Sequence, residues 1–109
     1  MMKATVLTIV TLLAGMAISV RADSKALWDA NCAQCHGPTG HADTKMGKIL
    51  NAKDLTNPSV QASFTDAKAA EVIKDGVKTN GKMTMKAFAG KLTDDEIKAL
   101  VAYVRTLKK

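Results

Sequence analysis

The sequence predicts an all-α domain, and three observations carry that expectation. Apolar residues recur at helical spacing in three stretches, each preceded by a Ser or Thr able to cap a helix: Ser24, Thr65 and Thr93. No run alternates apolar and polar residues as a half-buried strand would. The intervening stretches are broken by Gly, Pro and Asn.

The first 22 of the 109 residues are set apart from the rest. Lys3 precedes an apolar run from Ala4 to Val20, and Val20-Arg21-Ala22 offers small residues at both cleavage-site positions. The run is interrupted by Thr5, Thr8, Thr11, Gly15 and Ser19, and it is short against the roughly 20 apolar residues of a membrane span. Residues 1–22 are therefore expected to be a secretory signal, and residues 23–109 the exported domain. Retention of the segment would instead leave the protein membrane-associated.

Ser24 to Cys35 is expected to form the first helix, with Leu27, Ala30, Trp28 and Cys32 on its apolar side. It delivers Cys32-Ala33-Gln34-Cys35-His36 at its end, just before Gly37-Pro38. C-x-x-C-H is the attachment signature of a c-type haem. Two thiols separated by two residues can each reach one vinyl group of the same porphyrin and form a thioether. The following imidazole can then supply a nitrogen to the iron. Cys32 and Cys35 are the only cysteines, so neither is left over.

Two other chemistries use these residues. A redox C-x-x-C disulfide usually accompanies a βαβ pattern, which this chain lacks. A zinc site could draw on Cys32, Cys35, His36 and His41, but the direct Cys35–His36 adjacency strains tetrahedral ligation and the usual spacer before the histidines is missing. Export is compatible with a plain disulfide. It also suits haem, which bacteria attach on the outer side of the cytoplasmic membrane.

Residues 37–61 read mostly as loop, punctuated by Gly37, Pro38, Gly40, Asn51, Asn57 and Pro58, with a short helical turn allowed at Lys45 to Leu50. A loop this long is uncommon unless it packs on something. Large apolar side chains are scarce in it: Met46, Ile49, Leu50, Leu55 and Val60. Without its leader the chain has 87 residues, a size at which core formation is marginal, and a buried porphyrin would add apolar bulk.

Thr65 to Asp75 is the second helix, with Ala69, Val72 and Ile73 as its stripe and Gly76 as its stop. Residues 76–90 form a second loop containing Met83 and Met85. Thr93 to about Leu107 is the last helix. Thr93-Asp94-Asp95-Glu96 is a capping box that also sets acids at the positive helix end. Ile97, Leu100, Val101, Val104 and Leu107 follow at helical spacing, with Arg105, Lys108 and Lys109 near the negative end.

An iron held by one histidine needs a sixth ligand, and Met46, Met83, Met85 and His41 are the candidates. His41 follows His36 by only five residues, too few to pass around a porphyrin, and is expected at the solvent surface. Methionines are more often core filler than ligands. Met83 and Met85 nevertheless lie in a polar, glycine-flanked loop with no stripe to pack into.

With both segments in view, the chain from about Lys25 to its end resembles the small class I cytochromes c. The carriers of the resemblance are the helix ending in Cys32-x-x-Cys35-His36 and the stretch Met85-Lys86-Ala87-Phe88-Ala89-Gly90-Lys91-Leu92-Thr93-Asp94-Asp95-Glu96-Ile97. In that family a Met-Pro-Ala-Phe-like stretch carries the axial methionine and runs into an acid-capped final helix. The resemblance implies three to four helices wrapped around one covalently attached haem c, with the N- and C-terminal helices packed together. It implies thioethers at Cys32 and Cys35 and axial ligands His36 and Met85. Lys86 stands where the family has proline, which keeps Met83 as the runner-up. It further implies Tyr103 near the helix contact and Trp28 near the haem.

The function this implies is electron transfer by a periplasmic carrier, not catalysis. A haem-based ligand binder with an open or labile sixth position is the alternative, and a thiol–disulfide oxidoreductase without haem is a third. The domain keeps 14 of the 16 basic residues and all 10 acids, a net charge of +4. That is too little for the dense basic stripe of a nucleic-acid binder. Lys78, Lys82, Lys86 and Lys91 flank the methionine loop and would steer a redox partner with an acidic docking patch.

Overall fold

The computed structural model describes residues 20–109. The expected leader, residues 1–22, falls outside the described residues except for its last three, which open the first helix.

Six helices and one hairpin are present among the described residues, in the order α1 (Val20–Asn31), α2 (Ala33–His36), α3 (Lys45–Leu50), α4 (Pro58–Ala62), α5 (Asp66–Asp75), β1 (Val77–Thr79), β2 (Lys82–Met85) and α6 (Asp94–Thr106). The fold is helical, as the sequence predicts, but the helices number more than three or four. The expected first helix starts upstream of Ser24, which lies inside α1 and not at its start, and it is divided at Cys32, which separates α1 from α2.

The 37–61 stretch holds two short helices. Thr44 caps α3, its hydroxyl accepting from the Gly47 amide. Asn57-Pro58, read from sequence as loop punctuation, starts α4: the Asn57 side chain accepts from Ser59 and Val60, and Pro58 occupies the first turn, where its missing N–H is no loss. The same dipeptide serves a loop or a helix start, and the two differ only in the packing of the residues beyond it.

The 76–90 stretch holds the strands that the sequence did not announce. They are three and four residues long, too short for an alternating pattern to be legible. Asn80 and Gly81, both at positive φ, turn the chain between them.

α6 supplies the centre of the core. Ile97, Leu100, Val101 and Val104 are buried on one face, joined by Trp28 of α1, Ile73 of α5, and Leu55, Phe88 and Leu92 from the connecting segments. The capping box is fully formed, with Thr93 and Glu96 each bonding the other's backbone amide. α1 packs against α6, where the rings of Trp28 and Tyr103 meet at 5.5 Å. The terminal helices are thus packed together and Tyr103 is at their contact, as the resemblance implied.

Candidate functional site

The site is built around the junction of α1 and α2. Cys32 closes the end of α1 through its amide, which donates to the Trp28 carbonyl at 2.8 Å, and its own carbonyl accepts from the His36 amide at 3.0 Å. The two thiols therefore sit one helical turn apart. Both are free and partly buried.

Burial, reinforced by Cys35 nearby, pushes the Cys32 thiol up to about 11. A redox-active C-x-x-C pair works through a depressed thiol, and the shift at Cys32 runs the other way. The strands form an antiparallel hairpin, which is not the parallel βαβ arrangement of the thioredoxin type. Among the described residues no three His, Cys, Asp or Glu side chains cluster as a metal-binding group.

His36 donates through Nδ1 to the Lys53 carbonyl at 3.0 Å. That bond selects the tautomer with its lone pair on Nε2, the form an iron needs. Burial lowers the His36 pKa, with the Lys53 bond partly opposing it, and so favours the neutral ring. The carbonyl comes from far along the 37–61 stretch and not from the neighbouring Gly37-Pro38 turn. Trp28 lies beside the same imidazole, ring centroids 5.8 Å apart, and donates through Nε1 to the Gly37 carbonyl at 3.0 Å.

The 37–47 segment satisfies the end of α2. Gly37 bonds the Ala33 carbonyl, Ala42 bonds that of His36, and the Thr44 hydroxyl donates to that of Cys35 at 2.9 Å. Gly47 packs so closely on this turn that a Cβ there would overlap the Cys35 carbonyl oxygen. The segment reads as loop in the sequence because its work is done by backbone groups and one hydroxyl.

The hairpin separates the two candidate methionines. Val77 faces Met85 and Lys78 faces Met83, so Thr84 is an extra residue that bulges β2. Neighbours on β1 point to opposite sides of the ribbon, and each shares its side with its partner. Met83 and Met85, which an even strand would align, are therefore directed to opposite faces. Met85 is partly buried against the core, whereas Met83 is 45% exposed with its methyl over Gly76. Met46 is 39% exposed on α3. His41, expected at the surface, is only partly exposed and bonded to the Thr39 hydroxyl at 2.8 Å.

Two features of the surroundings escaped sequence reading. Arg105, assigned only to the helix end, donates to the backbone and side-chain oxygens of Gln61, to the Phe64 carbonyl and to Asp66. Gln61 itself is buried and donates to the carbonyls of Leu55 and Val104. No local pattern announces a pairing across this separation.

Known proteins share the family and the fold. The family model described as Cytochrome c matches residues 22–108. The chain is similar to a cytochrome c6 of Leptolyngbya boryana, 38% identical over 78 residues that cover 72% of this chain and 81% of the relative. A cytochrome c6 of Diacronema lutheri is 34% identical, covering 76% of this chain and 90% of the relative. Among solved structures, the KustC0563 c-type cytochrome superposes with a TM-score of 0.69 at 34% identity, covering 79% of this chain and 98% of that one.

Proposed function

The chain belongs to the cytochrome c family and carries one covalently attached haem c, and on that premise we propose that it is a soluble electron carrier of the periplasm, with His36 and Met85 as axial ligands. The observation that carries the ligand assignment is the pairing of a His36 whose Nδ1 is committed to the Lys53 carbonyl with a Met85 turned inward by the bulge at Thr84.

When bound, haem c supplies a one-electron ferric/ferrous couple. Cys32 and Cys35, both partly buried and one helical turn apart, would hold it through thioethers. His36 is oriented by the Lys53 carbonyl, which also raises its basicity as a ligand. Met85 brings a thioether, which favours the ferrous state relative to a second imidazole. Two protein ligands leave no position for a substrate, so the chain acts as a carrier and not as an enzyme. Residues 23–109 form the exported domain, and among the described residues no helix is long and apolar enough to cross a membrane.

Partner choice follows from charge. Residues 76–92 contain Lys78, Lys82, Lys86 and Lys91 and no acid, so the whole net charge of residues 23–109 resides in the methionine segment. None of these four lysines takes part in the ion pairs found among the described residues. This supports docking of an acidic redox partner on the hairpin side.

The test is the visible spectrum of the exported protein, oxidised and reduced. A low-spin haem c spectrum with the weak red band of methionine–ferric ligation is expected. A high-spin spectrum would favour a ligand-binding protein, and a colourless product from a host competent in haem attachment would overturn the proposal.

A further inference from the structure

Lys86 lacks the ring that fixes the backbone after the methionine in related loops, yet the segment around it is held at both ends. On the near side, β2 is paired to β1 up to Met85. On the far side, the amides of Phe88 and Ala89 donate to the carbonyls of Ile73 and Lys74, each at 3.0 Å. Those carbonyls belong to the last turn of α5, whose final acceptors have no partner within the helix. The helix end and the methionine segment thus satisfy each other.

Gly76 sits between these two attachments. Its φ of 76° and ψ of −173° lie in a region open essentially to glycine alone. A Cβ at this position would stand 2.6 Å from the Met85 carbonyl oxygen and 2.9 Å from the Ala87 nitrogen, both backbone atoms that cannot swing aside. The bare backbone of residue 76 is therefore in close contact with the residues on either side of Lys86.

We propose that Gly76 and the C-terminal turn of α5 are positioning elements for Met85, supplying from outside the loop the stiffness that a proline at 86 would supply from within it. The inference rests on Met85 being the axial ligand. Loss of the Gly76 contact shifts Met85 without touching its sulfur, and the sixth position becomes easier to take over.

The experiment is an imidazole titration of the ferric holoprotein, read by the red methionine–iron band, for wild type, Gly76→Ala, Met83→Ala and Met85→Ala. Gly76→Ala is expected to bind imidazole about tenfold more tightly, with a weakened band and a shifted midpoint potential. Met83→Ala is expected to match wild type. Wild-type imidazole affinity and potential in folded Gly76→Ala would overturn the positioning role. Absence of the band in wild type, or its persistence in Met85→Ala, would instead overturn the ligand assignment. Should Gly76→Ala fail to yield folded holoprotein, amide exchange on the wild type decides. Phe88 and Ala89 are expected to be protected while the band is intact and released when imidazole displaces Met85. Unprotected exchange with the band intact would overturn the proposal.

Discussion

Gln61 donates through Nε2 to the Val104 carbonyl at 2.8 Å, tying the end of the 37–61 stretch to the last turn of the final helix. The same amide nitrogen bonds the Leu55 carbonyl at 2.7 Å, and the side-chain oxygen accepts from Arg105 at 2.9 Å. Three segments meet on one buried side chain.

Gln61→Leu is expected to destabilise the holoprotein by about 2–4 kcal/mol, because it strands buried carbonyls and one face of a guanidinium. Arg105→Lys should recover little of the loss seen in Arg105→Ala. An ammonium has no planar fork with which to reach Gln61, Phe64 and Asp66 together. Denaturant midpoints of the four proteins check this. A lysine variant as stable as wild type would show that charge alone suffices.

Gly47→Ala tests the support beneath the attachment turn. Its added methyl must displace α3 from Cys35, and the Ala42 carbonyl and Thr44 hydroxyl at 3.0 Å close the other exits. The expected cost is about 1–3 kcal/mol, with a lower yield of haem-loaded protein. Lys48→Ala, on the exposed side of the same helix, should change neither. Equal haem incorporation and stability in both variants would refute the support role.

Charge reversal at Lys78, Lys82 or Lys91 should slow electron transfer to an acidic partner several-fold at low ionic strength, with the difference fading as salt rises. Lys68→Glu, at a lysine paired with Glu71 on α5, serves as the control and should have a smaller effect. Stopped-flow rates across a salt series are the measurement. A rate independent of salt would remove the docking argument and leave the haem assignment untouched.

The Asp54 carboxylate is held below its ordinary range by the Thr56 hydroxyl at 2.6 Å and the Thr56 amide at 2.9 Å. A carboxyl with a lower pKa in the folded state stabilises above its unfolded pKa, and that contribution is lost as pH falls through the folded value. Wild type should therefore lose more stability on acidification than Asp54→Asn. Parallel loss in both would mean that Asp54 contributes nothing to acid sensitivity.

Much of the helical frame was legible because its signals are local. Thr93 and Glu96 are three residues apart, and the capping box they imply is formed. Thr65 and Gly76 bracket a helix whose ends they predict within a residue. Cys32, Cys35 and His36 carry their chemistry in their spacing alone. The short hairpin, the α4 turn begun by Asn57-Pro58 and the Arg105–Gln61 bonds were not legible, since each depends on partners that sequence separation hides.

The sequence by itself determined the helix periodicity, the caps at Thr65 and Thr93, the pair of thiols with their adjacent imidazole, and two methionines within reach of one another. Which carbonyl orients His36 and which methionine turns inward were decided by tertiary structure. The first depends on the return of the chain to Lys53, the second on one extra residue at Thr84 that flips a strand's register. A one-residue shift in a ribbon reverses the faces of its side chains, and nothing in the identities of Met83 and Met85 records that shift.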